Sequence, residues 1–457
     1  MILAVSRPQQ LNGSSLILLL GILCYSIFSC ATKKSSVQQH QNKVNHPNTT
    51  TTHQLPSKVD TVVWKKYEEK PVKTQDKADA STQPARKYSK PDDHFEILCM
   101  LPFKTASNDS LGSKINTSSL RFVQYYAGMS MAMDELNNEG GKKINFNVLD
   151  VETVTEIADA LSQFNNSPPH LIIGPQKAEA LKYAADWAKS HETSLLSPWV
   201  SSSTITDTNP YYIQTKAGIS SHYAKLNEHA RAHYPAENII IISRSPEESR
   251  SKYFNDNIKF RDSIEEKFIK ESDLATGVDP VVGPLLKATG PTVFILPYFS
   301  SKDENYIYHF LRRMVSEKNN KEVIVYGTSK WLEMKSEIID FMNIYNIRIS
   351  ISNFFDQDNS AIRSFKKKYF DAYREFPSQD AMEGYDLAKY AIKSLRQYGP
   401  DFQWKSNNSC NGLLETSFEF QPVYKNKSSD RKSGVDYYEN SYLRVVEIKS
   451  NRYKIID

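Results

Sequence analysis

The hydrophobic positions of this chain change period along its length, and each change marks an element. Phe95-Glu-Ile-Leu-Cys-Met-Leu101 is a short apolar run closed by Pro102, the pattern of a buried strand. From Ser119 the spacing turns helical through Leu120, Val123, Ala127 and Met131, then stops at Leu136-Asn-Asn-Glu-Gly-Gly141. The paired glycines permit the left-handed turn that ends a helix. A strand over 144–149, a helix over 152–164 and a strand over 171–175 follow. Such alternation predicts a parallel α/β sheet, because parallel strands need a crossover and the helix supplies it. The series continues with a helix over 178–190, a strand over 193–196 and Tyr211-Tyr-Ile-Gln214.

A second series of the same kind begins near His222. Helices are expected over 222–234, 247–270 and 303–318, and strands over 238–243, 292–297, 322–326 and 347–350. Helices over 359–376 and 379–398 come next, with terminal β structure over 418–424 and 442–456. Two similar α/β series in one chain predict two lobes and a cleft, a common place for a small-ligand site.

The amino-terminal part reads differently. Residues 16–28 form a 13-residue apolar run after Arg7, too short to span a bilayer and the size of a signal-peptide core. Residues 31–91 are mostly Ser, Thr, Gln, Asn, Lys and Pro, which bury too little apolar surface to offset ordering entropy, so a flexible spacer is expected. Its His40, His46 and His53 are too sparse to imply a metal site. The net charge of +4 belongs to this part: residues 31–94 carry 12 Lys/Arg against 7 Asp/Glu, leaving 44 basic and 46 acidic residues over 95–457. A broad nucleic-acid footprint is thereby excluded for the folded part.

Candidate chemistry is sparse. Cys24, Cys30, Cys99 and Cys410 lack metal-type spacing. Cys99 alternates with Ile97 and Leu101 as a small hydrophobe would, and Cys410 is its one possible partner, although spacing alone establishes no bridge. Ser364-Phe-Lys-Lys367 matches a Ser-x-x-Lys pattern without its companion motifs, and His229 and His233 have a metal-compatible spacing without a third ligand. There is no phosphate loop, nucleophile elbow or dinucleotide fingerprint. A non-enzyme is expected, with no catalytic residue, metal or cofactor.

Two resemblances sharpen this picture. Ile27-Phe-Ser-Cys30-Ala-Thr-Lys-Lys34 resembles the lipobox of bacterial lipoproteins, with Ile27 for the commoner leucine and a bulky Phe28. It implies a signal peptide over 1–29, an acylated Cys30, a tether over 30–94 and a membrane-anchored protein facing the periplasm or cell surface. An ordinary secretory signal is the alternative, and both readings export the chain. Met131-Ala-Met-Asp-Glu-Leu-Asn-Asn-Glu-Gly-Gly141, Ile172-Ile-Gly-Pro175, Leu196-Ser-Pro198 and Glu383-Gly-Tyr-Asp386 occur in the order found in type I periplasmic binding proteins. Residues 95–457 resemble their branched-chain amino-acid-binding, or receptor ligand-binding, branch.

That resemblance implies two Rossmann-like lobes joined by hinge crossovers around a central ligand cleft. One lobe would hold about 95–216 and 353–411, the other about 217–352 and 412–457. It also implies ligand-contacting loops at Gln176, Lys177, Trp199, Ser201 and Ser202, where strands of the first lobe end. Arg244, Tyr298 and Trp331, beside strand ends of the second lobe, complete the candidate set. Departures stand beside these matches: Gln176-Lys177-Ala178 replaces a common serine, Trp199 and Val200 replace Ser-Ala, and Gln214 stands where arginine is common. The expected function is a solute-binding lipoprotein that closes over a small polar ligand, an amino acid or a related compound, for an ABC-type transporter or a receptor. The alternative is an envelope scaffold acting on cell-wall synthesis enzymes.

Overall fold

The computed structural model describes residues 94–457, apart from 108–115, 257–259, 277, 335, 355, 405–409, 415, 425–433 and 450–451. The leader, Cys30 and the spacer lie outside these residues. The apolar opening run forms β1 (His94–Leu101), and the helical spacing after it forms α1 (Thr117–Asn138), capped by Asn116, whose side chain accepts from the Ser118 N–H at 3.0 Å. Then come β2 (Lys143–Asp150), α2 (Val154–Ser162), β3 (Leu171–Ile173), α3 (Ala178–Ser190), β4 (Ser194–Ser197) and β5 (Tyr212–Gln214). Thr153 and Glu156 cap α2 reciprocally, so two of its otherwise unpaired N–H groups are satisfied.

The chain then enters a second sheet. It builds α4 (Ile219–His233), β6 (Ile239–Ser243), α5 (Ser251–Asn255), β7 (Glu265–Phe268), α6 (Glu271–Thr276), β8 (Thr292–Ile295), α7 (Glu304–Glu317), β9 (Val323–Thr328), α8 (Ser336–Ile344) and β10 (Asn346–Ile351). It returns through α9 (Ser360–Tyr373), α10 (Gln379–Tyr398), β11 (Phe420–Val423) and β12 (Tyr437–Asn440), and finishes with β13 (Arg444–Lys449) and β14 (Arg452–Ile455).

The first sheet runs β11-β12-β5-β4-β3-β1-β2 and the second β14-β13-β10-β9-β8-β6-β7. Each therefore contains five parallel strands wound in the same order, with the first strand between the second and the third. In each sheet the added carboxy-terminal strands extend the side away from that switch. The architecture is the expected pair of α/β lobes, with two differences. Residues 247–270 do not form one helix: the Asn255 side chain bonds the Ile264 N–H at 2.8 Å and its carbonyl at 2.9 Å, which returns the chain as edge strand β7. Nor does 412–457 belong to one lobe. β11 and β12 pair into the first sheet, β12 lying parallel to β5, and only β13 and β14 join the second.

Three segments thus pass between the lobes, after β5, after β10 and after β12, and buried polar groups tie two of them together. Asn440 is fully buried; its amide donates to the Thr215 carbonyl at 3.0 Å and the Ser417 carbonyl at 3.1 Å, while its oxygen accepts from the N–H groups of Glu419 at 2.8 Å and Tyr442 at 3.1 Å. The neighbouring Glu439 carboxylate accepts from the Gly218 N–H at 2.8 Å, the Ser221 hydroxyl at 2.6 Å and the Gln214 amide at 3.3 Å. Gln214 is therefore part of this junction.

The core of the first lobe is dominated by α1 lying along α10. Gly128 faces the Ala381 backbone and Gly384 faces the Tyr125 backbone with no room for a Cβ, so the two helices touch main chain to main chain. Glu135 of α1 accepts from Tyr385 at 2.8 Å and pairs with Lys389 at 2.7 Å. Arg396 covers the end of α1 by donating to the Lys142 and Leu136 carbonyls, each at 2.9 Å.

Two buried histidines stabilise the second lobe only while neutral. His222 lies 2.8 Å from the Ser350 hydroxyl and His229 lies 2.8 Å from the Tyr326 hydroxyl, and burial pulls both down to about 4. In the unfolded chain each protonates near 6.5. Stability is therefore full above about pH 6.5 and falls as pH drops towards 4, by about 1.4 kcal/mol per pH unit for each histidine. Urea midpoints at pH 7 and 5 should show the loss, and the pair His222→Gln and His229→Gln should flatten it; an equally steep fall in the variant refutes the assignment.

Candidate functional site

The chain leaves β5 and β10 at their carboxyl ends to change lobes, so the carboxyl edge of each sheet faces the crossovers. Within each sheet the strand order reverses between the first and third strands, which opens a crevice between their following loops, the usual ligand position of open α/β sheets. In the first lobe these are the loops after β1 and β3, carrying Lys104 and Gln176-Lys177. In the second they are the loops after β6 and β8, carrying Arg244 and Tyr298.

The first-lobe edge is ordered by two acids. Asp150, the last residue of β2, accepts from the Lys104 N–H at 2.9 Å and from the Thr105 N–H and hydroxyl at 2.8 and 2.6 Å, holding the loop after β1. Glu152 pairs with the ammonium groups of both Lys104 and Lys177, each at 3.2 Å. Burial works against ionising Glu152, but its bonds to Lys177 and Lys104 outweigh that and hold it below the usual carboxylate range. Gln176 is half-buried at the start of α3. Ser201 is half-buried, and the Ser202 hydroxyl bonds Thr204 at 2.8 Å.

Trp199 is half-buried and packed inward rather than presented as an open face. Its ring meets Phe122 edge-on at 5.4 Å and Tyr125 at 5.1 Å. It also lies over Gly174, where φ is +91° and a Cβ would stand 2.5 Å from the Met100 carbonyl. Only glycine fits that approach, so the Gly-Pro turn and the tryptophan are built together.

In the second lobe Arg244 is the centre of a charged cluster. Its guanidinium pairs with Glu248 at 3.0 Å, Asp303 at 3.1 Å and Glu271 at 3.5 Å, and lies 4.8 Å from the ring centre of Tyr306 and 5.3 Å from that of Tyr298. Tyr298 meets Tyr306 edge-on at 5.0 Å, and its phenol is pushed well up by burial. Trp331 directly follows the carboxyl end of β9. It is fully buried in the second core, its ring filling the space over Gly327. The structure thus brings Arg244 to Tyr298 and Lys177 to the first-lobe switch. Sequence reading missed Lys104, Asp150 and Glu152, and also Glu248, Glu271 and Asp303; Asp150 closing β2 was the one available signal.

Cys99 and Cys410 are free thiols, the first fully buried. His233 stacks on His229 at 4.3 Å and Lys367 pairs with Asp371 at 2.7 Å. Among the described residues no helix is long and apolar enough to cross a membrane. An open hollow of ≈ 830 Å³ lined by Pro280, Leu286, Glu317 and Lys321 lies where α7 ends and β9 begins, the edge away from the crossovers.

Two like-wound lobes joined by three crossovers are the type I periplasmic binding protein fold, and solved structures share it. One, described as a branched-chain amino acid ABC transporter from Rhodospirillum rubrum, superposes with a TM-score of 0.56 at 13% identity over 79% of this chain and 100% of its own. A branched chain amino acid ABC transporter periplasmic ligand-binding protein from Burkholderia xenovorans gives 0.52 at 11% identity over 80% and 95%. An ABC transporter substrate-binding protein from Desulfitobacterium hafniense gives 0.50 at 14% over 79% and 100%. No protein-family model and no curated protein matches the sequence.

Proposed function

We propose that this chain is a non-catalytic, extracytoplasmic solute-binding protein, anchored through an acylated Cys30, that closes its lobes over a small polar ligand for an ABC-type transporter or a receptor. The observation that carries the reading is the matched winding of the two sheets, which turns polar loops from both switch points towards one set of crossovers. Lys104 and Lys177 offer donors to an anionic group, and Glu248, Glu271 and Asp303 outnumber Arg244 and suit a cationic one. An amino acid or a related zwitterion has both. The descriptions of the structural neighbours support that class, while Trp199 and Gln214 depart from the family's amino-acid pocket.

A thermal-shift screen of amino acids, short peptides, sugars and cell-wall fragments at millimolar concentration tests this. A ligand at about 100 times its Kd adds about 2.7 kcal/mol of stability, and the shift should shrink in Lys177→Ala and Arg244→Ala. Absence of any shift across the panel rejects ligand binding. One observation favours a second reading, an envelope scaffold acting on cell-wall enzymes: Lys177 and Arg244 already have intramolecular partners. Co-purification of a cell-wall enzyme that survives Lys177→Ala and Trp199→Ala would select it.

A further inference from the structure

The carboxy-terminal end of α9 carries an aromatic and basic face that neither the fold nor the cleft uses. The buried side of α9 is Ile362, Phe365 and Tyr369. On its outer side Phe370 and Phe376 are 36% and 72% exposed and lie against each other at 5.0 Å, next to Tyr373, which is 43% exposed. The Tyr373 hydroxyl bonds the Ala127 carbonyl of α1 at 3.3 Å, and Gln124 of α1 bonds Glu375 and the Ser378 N–H. Leu120 and Val123 of α1 are also exposed, 42% and 44%. An exposed aromatic pair of this kind is a candidate interaction surface.

The segment itself is basic, while Asp134 and Glu135 of α1 lie beside it. Residues 360–376 contain five basic and two acidic side chains. Arg363, Lys367, Lys368 and Arg374 are exposed and Lys366 is half-buried; Asp371 is paired with Lys367 at 2.7 Å, and Glu375 is engaged by Gln124. Glu135 of α1 is the acid facing Lys368, at 4.0 Å. Arg374, in the left-handed conformation at φ 58°, ends the helix, and the chain then lays the exposed Phe376 against Phe370.

We propose that this face docks on an anionic lipid surface, with Phe370 and Phe376 entering the headgroup boundary and Lys367 and Arg374 meeting the headgroups. Aromatic and aliphatic side chains bordered by Lys and Arg are the composition that partitions into a bilayer interface. The excess positive charge is complementary to acidic lipid and gives each basic group a favourable, salt-sensitive contribution. This surface belongs to the folded domain, so it is separate from any anchor at Cys30.

Co-sedimentation of the chain from Ala31 onward tests it, using vesicles of phosphatidylcholine alone or with about one-third phosphatidylglycerol. All variants keep the same basic spacer, so differences between them report on the α9 face. Binding to the anionic vesicles should exceed binding to the neutral ones and fall sharply near 1 M salt, where the screening length is about 3 Å. The pair Phe370→Ser and Phe376→Ser, and separately the pair Lys367→Glu and Arg374→Glu, should each weaken it about tenfold with melting temperatures unchanged. Equal binding to both vesicle types overturns the proposal, as does wild-type affinity in a folded example of either paired variant. Absence of vesicle binding also overturns it and leaves the face to an acidic protein.

Discussion

Alanine at Gly128 is expected to destabilise the first lobe by about 3 kcal/mol, at the upper end of what overpacking costs. The added methyl would fall on the Ala381 carbonyl, and Gly384 forbids the helices from sliding because its own Cβ position coincides with the Tyr125 carbonyl. Both contacts are backbone, so no side chain can rotate away. Relief requires α1 and α10 to separate, which disturbs Tyr125, Tyr385 and the Glu135 to Lys389 pair together. Gly140→Ala provides the contrast: φ there is +92° but nothing lies within 4 Å, so only backbone strain of about 1 kcal/mol applies. Urea unfolding midpoints separate the two, and a Gly128→Ala loss no larger than that of Gly140→Ala would show that the helices are not in main-chain contact.

Asn440→Ala is expected to cost a comparable amount, about 3 kcal/mol, by a different route. Four backbone groups lose their partner: the buried Thr215 carbonyl and the half-buried Ser417 carbonyl and Glu419 and Tyr442 N–H groups. Each unsatisfied group costs about 1–3 kcal/mol before relaxation and water entry reduce the total. Asn440→Asp is the sharper test. It keeps the acceptor for the two N–H groups but turns an oxygen towards two carbonyls, so it should not restore stability. Equal stability of Asn440→Asp and wild type would mean that the amide donations are dispensable.

Local pattern reached most of the fold because the central strands are continuous apolar runs and the main helices carry a regular buried face. β1, β3, α3 and α10 were legible for that reason. β7 was not: Glu265, Glu266, Lys267 and Phe268 form an edge strand with little burial, and an edge without an apolar face reads as helix or loop. β12 hid differently, since Glu439 and Asn440 are buried for their hydrogen bonds, a role that resembles a polar turn in sequence. The lobe to which β11 and β12 belong depends on pairing with β5, more than two hundred residues away, and no local period encodes it. At the candidate site, strand ends located Lys177, Arg244 and Tyr298. Their neutralising partners escaped notice because Glu152, Glu271 and Asp303 come from other loops. A tryptophan beside a strand end looks the same in sequence whether it faces a cleft or fills the space above a glycine, as Trp331 does above Gly327.

The division of the last strands between the sheets also governs the order in which the molecule can be finished. β1 is the first described strand made, yet its sheet lacks β12 until Asn440 has been synthesised, and its principal helix partner, α10, follows the entire first pass through the second lobe. The second sheet in turn waits for β13. Completion of both lobes is thus postponed to the final stretch of synthesis, so the growing chain cannot lock its first lobe while the ribosome is still building the second.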